Sequence, residues 1–253
     1  MNILFTICGR AGSKGIRNKN VKDFLGYPLP FYTASAIDLY REANPEAHCD
    51  IALNTDSGEL ENLFKERLNF EVELIKRSPE LAQDNTPKIP VILNTYQEVL
   101  KKRGIAYDMI VDMDITSPLR TLSDVEALID KKAQTDADVV FSVTDSRRNP
   151  YFNMVKKGEN GFERVIKSQF NARQEAPEIY DMNASLYVYS PEFLESGKGI
   201  FDGRCEVIHM RDTAVLDLDH ETDFEFMSVI AEHLFKSFPE YKKIRDNIAR
   251  ILK

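Results

Sequence analysis

The chain has 253 residues, with 33 Lys and Arg against 41 Asp and Glu, for a formal net charge of −8; at roughly 150 residues per domain this is one large or two small domains. Apolar residues make up 43% and charged residues 29%, the balance of an ordinary soluble protein, and a globule of this size needs no disulfide or zinc staple. The acidic balance disfavours non-specific nucleic-acid binding, and no run approaches the ~20 apolar residues of a membrane span.

The opening MNILFTICGR lacks a charged leader region and turns polar at Gly9 and Arg10, so no secretory signal is expected. Cys8, Cys49 and Cys205 form no CxxC pair, and the four His show no zinc spacing. This odd, scattered thiol set fits a reducing, cytoplasmic setting.

Residues 3–8 are a short apolar run that stops at glycine, which predicts a buried central strand. A helix is expected over 30–41, then a strand at 51–53. Asp56 or Ser57 is placed to cap a helix over 58–67. A third strand is expected at 70–75, a helix at 89–102 and a fourth strand at 109–113. Ser123 and Glu126 have capping-box spacing, which opens a helix to about 133, and 139–143 reads as a fifth strand. Strands alternating with helices at this interval give an α/β fold. Its twisted sheet is mostly parallel and has helices on both faces, in a Rossmann-like arrangement.

The rhythm breaks over 145–182, which is polar and shows no amphipathic helix. This segment is expected to be a β-arm leaving the main sheet, with edges that a second subunit would cover. The pattern returns with strands at 186–189 and 214–218 and helices at 222–235 and 241–252. The whole chain, 1–253, is read as a single domain carrying that arm as an insertion.

Three segments carry chemistry. The first follows strand one, where open α/β sheets place ligands. Gly9, Gly12 and Gly15 let backbone N–H groups turn toward an anion. Arg10, Lys14, Arg17 and Lys19 put four positive charges within ten residues of an acidic chain. The segment is either a solvated basic turn or a polyphosphate site, and its position favours the second. Its spacing matches neither GxxxxGK[ST] nor GxGxxG.

The second segment holds Asp217 and Asp219, two apart. They share a face on a strand and could hold one Mg²⁺ together with substrate phosphate oxygens. The alternative is that Asp219 caps the next helix and Asp217 is a surface carboxylate, with Asp223 a first-turn acid. The third segment, Asp112 to Arg120, lies just past strand four. It could hold a sugar or a metal, or form a Pro-containing turn into the next helix.

Taken together, these motifs resemble the CMP-sialic acid synthetases, the acylneuraminate cytidylyltransferases. The first loop, with Asn18-Lys19-Asn20, is similar to that family's opening motif. Arg77-Ser78-Pro79-Glu80-Leu81-Ala82-Gln83-Asp84 is similar to its Arg-Pro-x-Glu-Leu-Ala-x-Asp segment. Asp114-Ile115-Thr116-Ser117-Pro118-Leu119-Arg120 matches its Gln-Pro-Thr-Ser-Pro-Leu-Arg turn, and Asn183-Ala184-Ser185-Leu186-Tyr187 its Asn-Gly-Ala-x-Tyr strand. Asp217-Leu218-Asp219 matches its Asp-x-Asp ending.

The resemblance implies Mg²⁺-dependent transfer of CMP from CTP to the anomeric hydroxyl of a sialic-type nonulosonic acid, with release of pyrophosphate. It implies a homodimer in which the arm crosses to the partner. By position, Arg10, Gly12, Ser13, Lys14, Gly15, Asn20 and Arg77 would bind nucleotide. Arg10, Lys19 and Asp219 would be catalytic, and Asp217 and Asp219 would hold Mg²⁺. Asp114, Ser117, Arg173, Gln174, Asn183 and Tyr187 would lie near the sugar. Asp114 stands where the family pattern has Gln, and Asp181 where some relatives have Arg; both changes add negative charge near the expected sugar acid. The alternatives are an eight-carbon acceptor, as in the CMP-Kdo synthetases, or a non-catalytic nucleotide-binding homologue.

Overall fold

A computed structural model describes residues 1–12, 15–212, 218 and 220–253. The expected strand at 214–218 therefore lies outside the described residues, apart from Leu218. In chain order the elements begin with β1 (Asn2–Gly9), the short pair β2 (Asp23–Phe24) and β3 (Tyr27–Pro28), α1 (Pro30–Ala43), β4 (His48–Thr55), α2 (Gly58–Arg67) and β5 (Glu73–Lys76). They continue with α3 (Lys88–Arg103), β6 (Met109–Met113), α4 (Leu122–Gln134), β7 (Val139–Asp145), β8 (Val155–Gly158) and β9 (Gly161–Arg164). Then come β10 (Tyr180–Tyr189), α5 (Pro191–Glu195), β11 (Cys205–His209), α6 (Glu221–Ser237) and α7 (Pro239–Ile251).

The main sheet has the order β11-β7-β10-β6-β1-β4-β5. All its neighbours run parallel except β10, which is antiparallel to both β6 and β7. β1 and β6 are central and carry near-continuous apolar runs because both of their faces are covered. On one face, Phe5, Ile7, Val111 and Met113 meet Phe31, Tyr32 and Ile37 of α1 and Leu128 of α4; on the other, Leu4 and Ile110 meet Ile92, Tyr96 and Val99 of α3. Pro30 starts α1, where its missing N–H costs nothing. Gly104, at φ 66°, closes α3. All three cysteines are free.

Two local expectations are corrected. The capping box of α4 lies two residues earlier than the Ser123–Glu126 spacing suggests: Thr121 Oγ1 accepts from Asp124 N at 3.2 Å, and Thr121 N donates to Asp124 Oδ2 at 2.7 Å. The third strand begins at Glu73 rather than at 70, because only from there does it pair with β4. Ser57 does cap α2, accepting from Leu60 N at 3.3 Å.

The expected excursion over 145–182 is shorter at its ends, because Asp145 and 180–182 pair within the main sheet. Its hairpin β8–β9 forms a sheet of its own, and Val155 and Phe162 stand exposed on it. The chain rejoins the main sheet through β10, where the register shifts between Met182 and Tyr187. Within that bulge Ala184 sits at φ 52°, a left-handed conformation that costs a residue with a Cβ about 1–2 kcal/mol. Such strain tends to be kept where function needs it.

Candidate functional site

A cleft of about 360 Å³ opens beyond the C-terminal ends of β1 and β6. Its walls include Arg10, Gly15, Lys19 and Asn20 from the loop after β1, Arg77 and Asp84 from the segment after β5, and Asp114 and Thr116 after β6. Cys8 and Lys88 complete its floor. Residues more than a hundred positions apart are thus gathered where a doubly wound sheet places its ligands.

The first loop is held in shape by its own polar groups. Asn20 Nδ2 donates to Arg10 O at 2.9 Å, and Ala11 N donates to Asp56 Oδ1 at 2.7 Å, which ties the loop to the end of β4. Gly12 and Asn18 adopt left-handed conformations, at φ 71° and 53°. At Gly9 a Cβ would lie 2.6 Å from Leu60 Cδ2 and 2.8 Å from Ile115 Cδ1, so a side chain there would force both buried side chains to shift. Ser13 and Lys14 lie outside the described residues.

Arg10 reaches across the cleft mouth to Asp84, Nη1 to Oδ1 at 2.6 Å, in a pair that is partly exposed on both sides. Arg77 is buried: its Nε and Nη2 donate to Asn54 Oδ1 and Asn54 O, both at 2.9 Å. A guanidinium has five donors, so Arg77 keeps hydrogen-bonding capacity on the cleft wall.

Leu218, in the late acidic segment, contacts the basic loop. Asp217 and Asp219 lie outside the described residues, but Leu218 between them is buried and its carbonyl accepts from Lys19 Nζ at 2.5 Å. Lys22 forms an ion pair with Glu221 and lies over the Phe224 ring, 4.4 Å from its centroid. The start of α6 is thereby fastened to the basic loop. His220 occupies the N-cap position of α6, and the expected cap Asp219 lies outside the described residues. The N–H of His220 donates to Asp223 Oδ2 at 2.7 Å, making Asp223 the first-turn acid. Among the described residues, no group of three or more His, Cys, Asp or Glu is placed to hold a metal ion. The carboxylates of Asp217 and Asp219, which lie outside the described residues, are of the donor type that suits Mg²⁺.

The floor holds a group that the sequence reading missed. Lys88 Nζ lies 2.7 Å from Asp112 Oδ2 and 2.8 Å from Asp114 Oδ2. Asp112 is fully buried and also accepts from Thr6 Oγ1 at 2.8 Å. Asp114 Oδ1 accepts from both the N–H and the hydroxyl of Thr116 at 2.8 Å. Burial alone would lower the Lys88 pKa, but the two carboxylates outweigh it and hold the amine well above its usual range. Burial likewise opposes ionisation of Asp114; Lys88 and the Thr116 donors prevail and hold this carboxyl well below the ordinary range. The Cys8 thiol is pushed far up, first by burial and then by Asp112, and stays protonated. The negative charge expected from Asp114 is therefore neutralised by Lys88 rather than offered to a ligand.

The residues expected near a sugar divide into two groups. Asp114 lines the first cleft, and the Tyr187 ring centroid lies 5.8 Å from Lys88 Nζ. Ser117 and Asn183 are buried close by, and Ser117 Oγ, Asn183 Nδ2, Ser185 Oγ and Thr144 Oγ1 have no hydrogen-bond partner. Arg173 and Gln174 lie elsewhere, in a second cleft of about 360 Å³ on the arm with Ser146, Arg148, Glu178 and Tyr180. The two clefts share no wall residue. Arg173 Nη2 donates to Ser146 O at 2.6 Å.

Comparison with known proteins agrees with this geometry. A family profile described as cytidylyltransferase matches residues 4–243. The chain is 31% identical over 232 residues to post-translational flagellin modification protein B of Campylobacter coli, covering 90% of this chain and 94% of that one. It is 29% identical over 228 residues to CMP-N,N'-diacetyllegionaminic acid synthase of Campylobacter jejuni, with the same coverage. It is 26% identical over 236 residues to N-acylneuraminate cytidylyltransferase of Streptococcus agalactiae, covering 93% of this chain and 54% of that longer protein. Among solved structures, a CMP-2-keto-3-deoxy-manno-octonic acid synthetase complexed with CTP superposes with a TM-score of 0.63 at 14% identity. That match spans 92% of this chain and 99% of that one, and it speaks for the fold alone. From the matched profile and the relatives that align along almost its whole length, this chain belongs to the cytidylyltransferase family.

Proposed function

We propose that the protein transfers CMP from CTP to the anomeric hydroxyl of a nonulosonic acid of the sialic or legionaminic type, releasing pyrophosphate. The observation that carries this reading is the contact between Lys19 and Leu218. It brings Leu218, which stands between Asp217 and Asp219 in the sequence, to a basic loop that lines the cleft. The named activities of the relatives support the nucleotide and the acceptor class.

The sugar oxygen attacks the α-phosphorus, a new P–O bond forms, and the bond to the β-phosphate oxygen breaks. Charge grows on the phosphate oxygens and on the departing pyrophosphate, so cations fixed in advance lower the barrier. Arg10, Lys19 and the loop N–H groups of Gly12 to Gly15 supply that field, and Asn20 keeps the loop in shape. Ser13 and Lys14 belong to the same assignment. Arg77 reaches the nucleotide from the wall. Asp217 and Asp219 would hold Mg²⁺, which when bound supplies Lewis-acid stabilisation of the phosphates.

The arm, residues 145–182, carries Arg173 and Gln174 toward the sugar site of a second copy in a homodimer. This accounts for the two separate clefts and for the exposed Val155 and Phe162 of the hairpin.

The test is pyrophosphate release from CTP with a panel of acceptors: N-acetylneuraminic acid, N,N'-diacetyllegionaminic acid and Kdo. Turnover is expected with a nine-carbon acid, stopping with EDTA, and light scattering of the active species should give a dimer. Turnover with Kdo alone, or none with any acid, would reject the proposed reaction. A fully active monomer would reject the arm's role.

A further inference from the structure

Among the described residues, Lys88 is the one cation of the cleft that no recognised motif contains. It opens α3, where the helix dipole disfavours a positive charge, so local preference does not explain it. Its ammonium donates to Asp114 Oδ2 at 2.8 Å and forms an ion pair with Asp112 Oδ2 at 2.7 Å. An ammonium has three donors and no acceptor capacity, so donor capacity remains, and Lys88 lines the cleft.

Charge identifies what that donor suits. Lys88 and the buried Arg120 balance Asp112 and Asp114, one positive group for each negative one. An ammonium already committed to two carboxylates gains little from a third. Its remaining N–H fits a neutral oxygen such as a hydroxyl or an N-acyl carbonyl. Asp114 itself is saturated on Oδ1 by Thr116. It cannot donate, and its Oδ2 accepts one hydrogen bond from Lys88 and keeps one lone pair. The pair at 2.8 Å thus offers what a single side-chain amide offers, an acceptor beside a donor. β6 lies between β1 and β10; Asp112 on it pairs with Tyr187 of β10, and the Tyr187 ring centroid lies 5.8 Å from Lys88 Nζ, so the pair borders the β10 side of the cleft.

We propose that Lys88 is a specificity-determining residue that donates a hydrogen bond to a neutral oxygen of the sugar acid, acting with Asp114 as a composite replacement for an amide. The inference rests on the proposed reaction, and the experiment separates the two.

The acceptor that the panel identifies is used with Lys88→Met, and with Lys88→Met/Asp112→Asn, which leaves no unpaired charge buried beneath the floor. In the folded variants, KM for the sugar acid should rise at least tenfold while KM for CTP stays within twofold. Adding Asp114→Gln to the double variant should recover most of the lost sugar affinity. A rise in KM for CTP instead, an unchanged KM for the sugar, or no recovery with the amide would overturn the assignment of Lys88. Failure of the wild-type protein to turn over any acid would instead count against the proposed reaction.

Discussion

Arg10→Ala is expected to lower kcat/KM for CTP by about 10²–10³-fold while leaving the fold intact. The size follows from removing one fixed charged donor at a centre where negative charge develops. The intact fold follows from Arg10's position: its recorded ion-pair partner is Asp84, and both side chains are partly exposed. Such pairs contribute about 0–1 kcal/mol. The Arg10–Asp84 contact closes the cleft mouth in the absence of nucleotide, and because it is weak it can be exchanged for phosphate oxygens. The check is steady-state kinetics beside a thermal melt. A variant that melts normally and retains full turnover would remove Arg10 from the phosphate site.

Arg120→Ala should act in the opposite way, on stability first. Arg120 is 1% exposed, and its guanidinium donates to the carbonyls of Asp114 and Ser117, with a longer contact from Nη1 to Thr33 Oγ1 at 3.4 Å. Burial pulls its pKa down to about 10, against the pull of Asp114 and Asp112, so it remains charged at neutral pH. It ties the 114–117 turn to α1 and sets Asp114 on the cleft floor. Truncation leaves the buried Ser117 carbonyl without this donor and a cavity the length of the side chain, while Asp114 O keeps Thr33 Oγ1 at 3.1 Å. At about 1–3 kcal/mol for the orphaned carbonyl plus the packing lost with a large buried side chain, the loss is about 3–5 kcal/mol, or about 10 °C in Tm for a chain of this size. Arg120→Lys should recover only part of it, because the shorter, strongly hydrated ammonium does not fill the space of the planar guanidinium. Urea unfolding measures this directly; a loss below about 1 kcal/mol would mean that the turn holds itself.

The parts of the fold that the sequence disclosed are those where burial alone sets the pattern. β1 and β6 are covered on both faces and read as apolar runs. The helix α2 is marked by a Ser cap at its start. The edge strand β11 was missed because Cys-Glu-Val-Ile-His has only Ile208 buried, so it lacks a continuous apolar run. For α4, two capping-box spacings overlap within six residues. Thr121 prevails because the chain arrives at it extended, at φ −111° and ψ 166°.

At the cleft, the loop after β1 was legible through its density of glycine and cation, whereas the Asp217 and Asp219 ending falls outside the described residues. Lys88 was not legible, since a single lysine at a helix start carries no motif. The signal lay in its partner: Asp112 interrupts a strand buried at every position, and an ionised carboxylate in such a place demands a cation. That requirement says a cation is needed and does not say which one. The separation of Arg173 from the main cleft was likewise invisible, because sequence order does not reveal where in space a polar segment between two strands comes to lie.

The claim beneath all of this is that the N-terminal basic loop and the Asp217–Asp219 segment grip one triphosphate between them. A crystal structure of the protein with CTP and Mg²⁺ tests it most directly. The account predicts phosphate oxygens on Arg10, Lys19 and the loop N–H groups, with Mg²⁺ bridging those phosphates to Asp217 and Asp219. A nucleotide seated with its phosphates on only one of these two ends, and the other end out of reach in both copies of the chain, would contradict it.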